Sequence, residues 1–230
     1  MKNPFQDFRY VRIQNKELPL ASMVQAKLEV MDHIVAGYVQ LVEEEVKDLV
    51  WLVEHSRIVR AYAKATKSIQ GLDYDQEDIE DFCAELDNTD KIPYIVLGPA
   101  GIFLSALINN CNEDRIKLSL HDYQRTFHFL GYRLPEGKTL TLQGDVGDLI
   151  GASLSGGRLV VEGSAGNWCG AGMLGGEITV TGSTGQKTGE LMRGGKIKVS
   201  GRVWGVGNDI GGKIYEGEGL IAPLARDRQP

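Results

Sequence analysis

Three consecutive units of 19 residues decide the fold of this chain. Thr139–Gly157 reads TLTLQGDVGDLIGASLSGG, Arg158–Gly176 reads RLVVEGSAGNWCGAGMLGG, and Glu177–Gly195 reads EITVTGSTGQKTGELMRGG. Lys196–Gly212 (KIKVSGRVWGVGNDIGG) is a fourth unit, two residues shorter, and a fifth begins at Lys213. A gap-free period of this size indicates a stack of equivalent structural units, because one unit alone cannot bury its apolar face.

Each unit opens with alternating apolar and polar residues, as in Leu159 and Val161 of the second unit. Alternation with period two predicts a short strand with one buried face. We therefore expect residues 138–215 to form a right-handed parallel β-helix, or β-solenoid, of four to five coils. A disordered glycine-rich linker is the alternative, but linkers lack apolar columns in register.

Glycines and side-chain columns repeat with the same period, and 23 of the 29 glycines lie between Gly144 and Gly219. Glycine at fixed corners permits positive φ and close backbone contact. The predicted corner glycines are Gly144, Gly147, Gly151, Gly163, Gly166, Gly170, Gly182, Gly185 and Gly189. The predicted inward columns are Ile150/Cys169/Thr188 and Leu154/Met173/Met192. The columns predicted to be outward or partly exposed are Asp145/Ser164/Ser183 and Leu149/Trp168/Lys187.

The segment Gly163–Gly201, GSAGNWCGAGMLGGEITVTGSTGQKTGELMRGGKIKVSG, resembles the GXGXG domain. That domain is shared by the C-terminal part of the glutamate synthase large subunit and by one of the subunits of formylmethanofuran dehydrogenase. The resemblance covers about 134–221 and implies a right-handed β-helix that supports neighbouring catalytic domains or subunits. It also implies that the repeat itself binds no flavin, metal or substrate. The roughly 130 residues before it match nothing in those enzymes, so their activities do not transfer.

Composition limits the partners and the compartment. The net charge is −6 and the isoelectric point is near 5.3, which argues against nucleic acid or an anionic membrane as a partner. No apolar run approaches the roughly 20 residues of a membrane span. The N-terminal sequence MKNPFQDFRYVRIQN has no apolar secretory core, so we expect a cytoplasmic protein.

The cysteines and histidines form no recognisable site. The spacing of Cys83, Cys111 and Cys169 matches no metal pattern, and such a set is typical of reduced core thiols. His121 and His128 are seven residues apart, roughly 10 Å along a helix, which is too far for one metal ion. We interpret both as structural. The sequence assigns no catalytic, cofactor-binding or metal-binding residue.

The composition changes near Gly137, and we divide the chain into an α+β domain at 1–137 and the solenoid with a capping tail at 138–230. The pattern of Met23–Val42 fits a strand as well as a helix. Glu43–Gln70 has a helical period, and its three leading glutamates suit a helix N-terminus, although a solvated surface explains them equally well.

A further helix is predicted after Tyr74. Asp75 can cap it, Asp78 stands three residues later, and one apolar stripe follows: Ile79, Phe82, Cys83 and Leu86. The acidic residues between positions 75 and 81 lack the glycine turn of a calcium loop, and we interpret them as a solvated helix face.

A small βαβ unit is possible at 92–120, with strands at Ile92–Leu97 and Arg115–Leu120. The turn between the first strand and the helix would present free N–H groups, which favours an anion site at Gly98, Ala100 and Gly101. A plain structural turn is the alternative reading. Asp122–Leu130 is predicted to be a short helix against the open end of the solenoid.

Three functions remain open on the sequence alone. The first is a non-catalytic scaffold or subunit acting through the solenoid surface or its open end, with a protein partner or a second copy. The second is a small-ligand or regulatory module that uses the Gly98–Gly101 turn. The third is an accessory subunit of a multi-subunit enzyme of the glutamate-synthase or formyl-transfer type, which the resemblance implies.

Overall fold

The computed structural model describes residues 20–45, 55–87, 97–208 and 210–222. Within these ranges, four α-helices precede seven β-strands. The helices are α1 (Leu20–Glu45), α2 (His55–Ser68), α3 (Gln76–Asp87) and α4 (Leu97–Asn110). The strands are β1 (Arg115–Ser119), β2 (Thr139–Gln143), β3 (Ser155–Glu162), β4 (Gly175–Val180), β5 (Lys196–Val199), β6 (Lys213–Glu216) and β7 (Gly219–Ala222).

Strands β1 to β6 stack in parallel in chain order, and β7 pairs with β6 in antiparallel. The register joins equivalent places of the repeat, because Leu140 pairs with Leu159 and Leu159 with Ile178. All three side chains are fully buried. The fold is therefore a helical part followed by a parallel β-solenoid of about four turns, which confirms the predicted fold class.

The column assignments are confirmed as well. Both predicted inward columns are fully buried, including the polar Thr188. The hydroxyl of Thr188 donates to the hydroxyl of Thr184 at 2.9 Å, so its burial leaves no orphaned group. In the two mixed columns, Leu149 is half-buried, whereas Trp168 and Lys187 are exposed.

Close contact between coils explains why glycine recurs at fixed places of the repeat. A methyl group on the Cα of Gly163 would lie 2.3 Å from the carbonyl oxygen of Gly144 in the coil before. The next coil repeats this contact, where the N–H of Gly182 donates to the carbonyl of Gly163 at 2.8 Å. Only a residue without Cβ lets the two backbones approach so closely.

The solenoid sheet begins before the visible repeat. The predicted strand near Arg115 exists as β1, but its parallel partner is β2 of the solenoid. Residues 92–96, which hold most of the other predicted strand of the βαβ unit, lie outside the described residues. Leu97, its last residue, is the first residue of α4.

The predicted helix at Asp122–Leu130 is wrong, because this segment has no helical structure. Its backbone bonds to the coil above it: the N–H of Phe129 donates to the carbonyl of Asp148 at 3.0 Å. The N–H of Gly151 in turn donates to the carbonyl of Leu130 at 2.8 Å. Backbone groups used between coils are not available for a helical ladder.

The first two helices also differ from the sequence prediction. Met23–Val42 is entirely helical and lies within α1. The helix predicted over Glu43–Gln70 is confirmed in part: Glu43–Glu45 lie in α1 and His55–Ser68 form α2, while residues 46–54 lie outside the described residues. The two parts are not one straight helix, because Lys64 donates to Glu44 at 2.8 Å, whereas 20 residues of a single helix would separate them by about 30 Å. The three glutamates therefore do not begin a helix, because α1 already runs from Leu20 through them. Lys64 of α2 also pairs with Glu45, so part of the glutamates' charge is offset by a contact between the two helices.

Helix α3 begins as predicted. The N–H of Asp78 donates to the Asp75 carboxylate at 3.1 Å, and the N–H of Asp75 donates to the Asp78 carboxylate at 3.0 Å. The predicted apolar stripe of α3 is buried. Gln76 also covers the free edge of the sheet, because its side-chain oxygen accepts the N–H of Lys117 in β1 at 2.9 Å. This bond occupies one outward backbone group of β1, which hinders pairing with another strand there.

The hydrophobic core runs without a break from the helices into the solenoid. Helix α4 lies between the two, and Ser105 is one of its polar links to the first coil; the side-chain amide of Asn109 also donates to the carbonyl of Tyr132 at 2.9 Å. The Ser105 hydroxyl donates to the carbonyl of Phe129 at 2.9 Å and accepts the N–H of Tyr132 at 3.1 Å. The helical part is thereby held against the first coil.

Candidate interaction surfaces

Ten large apolar side chains are exposed among the residues that the structure describes, and they fall into two regions. Four lie on the first part of α1: Leu20, Met23, Val24 and Leu28. Six lie on the later coils of the solenoid: Trp168, Leu174, Leu191, Trp204, Val206 and Leu220. Single exposed apolar residues are ordinary, but groups of them mark interaction sites.

The outer-turn surface is formed by Trp168, Lys187, Leu191, Arg202 and Trp204. Trp168 and Lys187 hold the same place in successive coils, and the Lys187 ammonium lies 5.7 Å from the centre of the Trp168 ring. The Arg202 guanidinium lies 4.6 Å from the centre of the Trp204 ring, which is 59 % exposed. Each tryptophan therefore presents an apolar ring with a cation beside it.

Tight turns project these side chains outward. Trp168, Lys187 and Leu191 all have positive φ, at 56°, 59° and 56°. Bulky residues rarely adopt this conformation, which costs each of them roughly 1–2 kcal/mol. Bonds between coils hold the turns in place, since the N–H of Trp168 donates to the carbonyl of Gln186 at 2.8 Å.

The same turns are also held by a series of hydrogen bonds between coils. These bonds join the residues that directly precede Leu149, Trp168 and Lys187. The Asp148 carboxylate accepts the N–H of Asn167 at 2.7 Å, and the Asn167 side-chain oxygen accepts the N–H of Gln186 at 2.8 Å. His128 starts this series, because its Nδ1 accepts the N–H of Asp148 at 2.9 Å. This bond favours the structural interpretation of His128. The outer-turn surface is thus a firmly held platform.

The arm surface is formed by Leu20, Met23, Val24 and Leu28 of α1 together with Glu77 of α3. Every residue from 20 to 29 is exposed, and Leu20 is 77 % exposed. The apolar side chains recur at helical spacing and form one stripe.

Acidic residues border this stripe. Lys27 of α1 donates to the Glu77 carboxylate, which brings the start of α3 beside the arm. That hydrogen bond is the main cause of the raised pKa of Lys27. The segment Asp73–Asp87 has eight acidic residues and no lysine or arginine. Burial raises the pKa of Asp78, whereas Asp75, Glu77 and Asp81 are exposed.

The residues proposed for anion binding are buried. Gly98, Ala100 and Gly101 lie in the first turn of α4, and a methyl group on Gly101 would lie 1.6 Å from the carbonyl oxygen of His128. Gly101 therefore allows α4 to pack on the first coil. Anion binding at this turn stays a prediction. Three of the predicted corner glycines, Gly151, Gly170 and Gly189, lie in turns with positive φ, and Gly144, Gly163 and Gly182 lie at bends after the strands. Gly147, Gly166 and Gly185 lie in the segments between the bends and the turns.

The three cysteines lie in the core, as predicted. All three cysteines are free and buried, and burial raises the pKa of the Cys169 thiol to about 12. In the described part of the chain, no three His, Cys, Asp or Glu side chains are grouped in a way that could hold a metal ion. Nor does any described helix combine the length and apolar character needed to cross a membrane.

Sequence reasoning identified only part of the two surfaces. It placed Trp168 and Lys187 in an outward column, but Trp204 lies in the shortened fourth unit and has no aligned partner. The arm was missed because alternation near Val24 also fits a strand. The i, i+4, i+8 spacing of Leu20, Val24 and Leu28 was the available helical signal.

Fold and surfaces together define a protein with a helical part, a short parallel β-solenoid and exposed apolar groups bordered by charge. Comparisons with protein-family models, with curated proteins and with solved structures find no match to this chain. The likeness to the GXGXG domain therefore rests on the repeat and on the solenoid itself.

Proposed function

We propose that this chain is a non-catalytic scaffold subunit that binds a protein partner through the outer-turn surface of its solenoid. The observation that carries the proposal is the pair of exposed tryptophans, Trp168 and Trp204, each beside a cation on a hydrogen-bonded turn. Tryptophan and arginine are the residue types most enriched among the energetic centres of protein interfaces. A rigid platform also loses little conformational entropy on binding.

The resemblance to the GXGXG domain supports the same role. In that family the β-helix supports neighbouring catalytic parts, and here the coils hold their outward side chains in fixed rows. We propose membership of that structural family, with this chain in a supporting role. Nothing in this role requires chemistry from the chain itself.

The proposal is tested by photo-crosslinking in the native cell. A photoreactive phenylalanine at Lys187, in the centre of the outer-turn surface, is expected to crosslink a defined partner. The same residue at Arg115, on the exposed face of β1 at the other end of the sheet, is the site control. The Lys187 crosslink is expected to disappear when Trp168 and Trp204 are replaced by alanine.

A matched variant separates binding from folding. Leu149 holds the same place as Trp168 one coil earlier, with φ of 62°, and it is half-buried outside the outer-turn surface. Leu149→Ala is expected to keep the crosslink. An unchanged crosslink in the double tryptophan variant, or turnover by the purified chain that a single polar substitution abolishes, contradicts the proposal.

A further inference from the structure

The two exposed surfaces of this chain complement each other in charge. The outer-turn surface is apolar with Lys187 and Arg202 beside its rings, and the nearby Glu216 and Glu190 carboxylates accept the backbone N–H groups of Val203 and Asn208. The arm surface is apolar and borders α3, because Lys27 on the arm donates to Glu77. The segment from Asp73 to Asp87 has eight acidic residues and no lysine or arginine. Opposite charges around two apolar centres favour contact between the surfaces and steer their encounter.

We infer that the outer-turn surface of one copy binds the arm surface of a second copy, head to tail. The inference rests on the proposed function in using the same binding platform, and it identifies the partner as another copy of this chain. Each copy would bury its apolar stripe in the next copy, with acidic side chains of α3 facing Lys187 and Arg202.

The dimensions of the two surfaces also agree. Eight residues of helix separate Leu20 from Leu28, which is about 12 Å along α1 at 1.5 Å per residue. Trp168 and Trp204 lie two coils apart, which is about 10 Å at the 4.7–4.9 Å spacing of neighbouring strands. The arm stripe therefore matches the height of the outer-turn surface.

Pairing between like surfaces is disfavoured. Two arms in contact would bring the acidic segments of α3 together, and two outer turns in contact would bring Lys187 and Arg202 of both copies together. Like charges placed opposite each other at an interface oppose association. The head-to-tail arrangement avoids both conflicts. Two copies joined in this way still have one unused arm surface and one unused outer-turn surface. Further copies can therefore add until the assembly closes into a ring or continues as an open chain.

The test uses two complementary variants of the full chain. The arm variant carries Val24→Asp and Leu28→Asp, both at exposed helix positions. The turn variant carries Trp168→Asp and Trp204→Asp, and aspartate tolerates the positive φ of position 168 better than most residues do. Leu220→Asp, at an exposed site on β7 outside both surfaces, is the control. Circular dichroism verifies that each variant keeps its fold.

The oligomeric states are measured by light scattering during gel filtration at low salt. Wild type and the Leu220 control are expected to exceed the 25.2 kDa of one chain, while each double variant alone runs as a monomer. Mixed in equal amounts, the two variants are expected to form a complex of twice that mass and no larger, because the mixture offers one intact arm and one intact outer turn. Raising the salt concentration is expected to weaken the complex.

Other outcomes overturn the inference without touching the proposed function. If the turn variant assembles as wild type does and the arm variant does not, the arms pair with each other. If wild type is a monomer, or the mixed variants do not combine, the contact does not exist. A crosslink from Lys187 to a different protein would then still support the scaffold role. If neither the crosslink nor self-assembly is observed, both proposals are refuted.

Discussion

Replacing Gly101 with alanine is expected to destabilise this protein, although alanine is the better helix former. Gly101 lies where α4 packs on the first coil. The added methyl group would lie 1.6 Å from the carbonyl oxygen of His128 and 2.8 Å from its carbonyl carbon, well inside van der Waals contact. His128 cannot retreat freely, because the next residue, Phe129, donates its N–H to the carbonyl of Asp148.

The expected cost follows from two opposing effects. Overpacking a core costs about 1–3 kcal/mol, and a contact this short belongs at the upper end. Replacing glycine with alanine inside a helix returns about 1 kcal/mol. The net loss is therefore about 2 kcal/mol. For a chain of this length each kcal/mol lowers the melting temperature by about 2–4 °C, so we expect a fall of about 4–8 °C.

Thermal unfolding followed by circular dichroism measures this fall, with Gly37→Ala of α1 as the matched control. A methyl group at Gly37 would meet only side-chain atoms, Ser68 Oγ at 3.0 Å and Phe103 Cζ at 3.3 Å. These atoms can shift slightly, so the control is expected to stay within about 1 kcal/mol of wild type. If Gly101→Ala melts at or above the wild-type temperature, the close packing of α4 on the first coil is refuted.

Three further predictions concern the solenoid. Met173→Ala is expected to cost about 2–5 kcal/mol in a urea titration, because Met173 is fully buried; a loss below about 0.5 kcal/mol would place it at the surface. Cys169 is expected to resist a thiol reagent at pH 8 until the protein unfolds, because burial hides the thiol and raises its pKa to about 12, leaving little thiolate; rapid labelling of the folded protein would contradict this. Asp148→Ala is expected to cost about 1–3 kcal/mol by leaving the N–H of Asn167 without its acceptor. Asp148→Asn is expected to restore most of that loss, since asparagine is the acceptor one coil later; equal losses in both variants would show that the bond is unimportant.

In the repeat, the buried side chains could be predicted accurately, because residues at the same place in successive units contact each other in the fold. Cys169 and Met173 could be placed inside from their columns alone, since each coil packs on the next in the same register. Because the register between strands is the same throughout, the inward and outward places found in one strand apply to the neighbouring strands as well. The outward column could be predicted in the same way, and it contains Trp168 and Lys187 of the outer-turn surface.

Outside the repeat, prediction depended on local patterns and was less accurate. The segment near Phe129 has the apolar content of a short helix, yet its backbone bonds to the next coil. The glutamates at the end of α1 have the charge of a helix start, but their partner Lys64 lies on another helix. Local propensity is a weak prior that such long-range contacts override.

By itself, the sequence determined the parallel β-solenoid, the inward and outward columns, and the capped start of α3. Each of these follows from residues that are close in the chain or repeat at a fixed period, so the pattern is visible without the fold. Only the tertiary structure decided that β1 joins the solenoid sheet, that Gly101 meets the carbonyl of His128, and that exposed apolar groups gather on the arm and on the outer turns. Those features depend on packing between segments far apart in sequence, and such packing has no local signature.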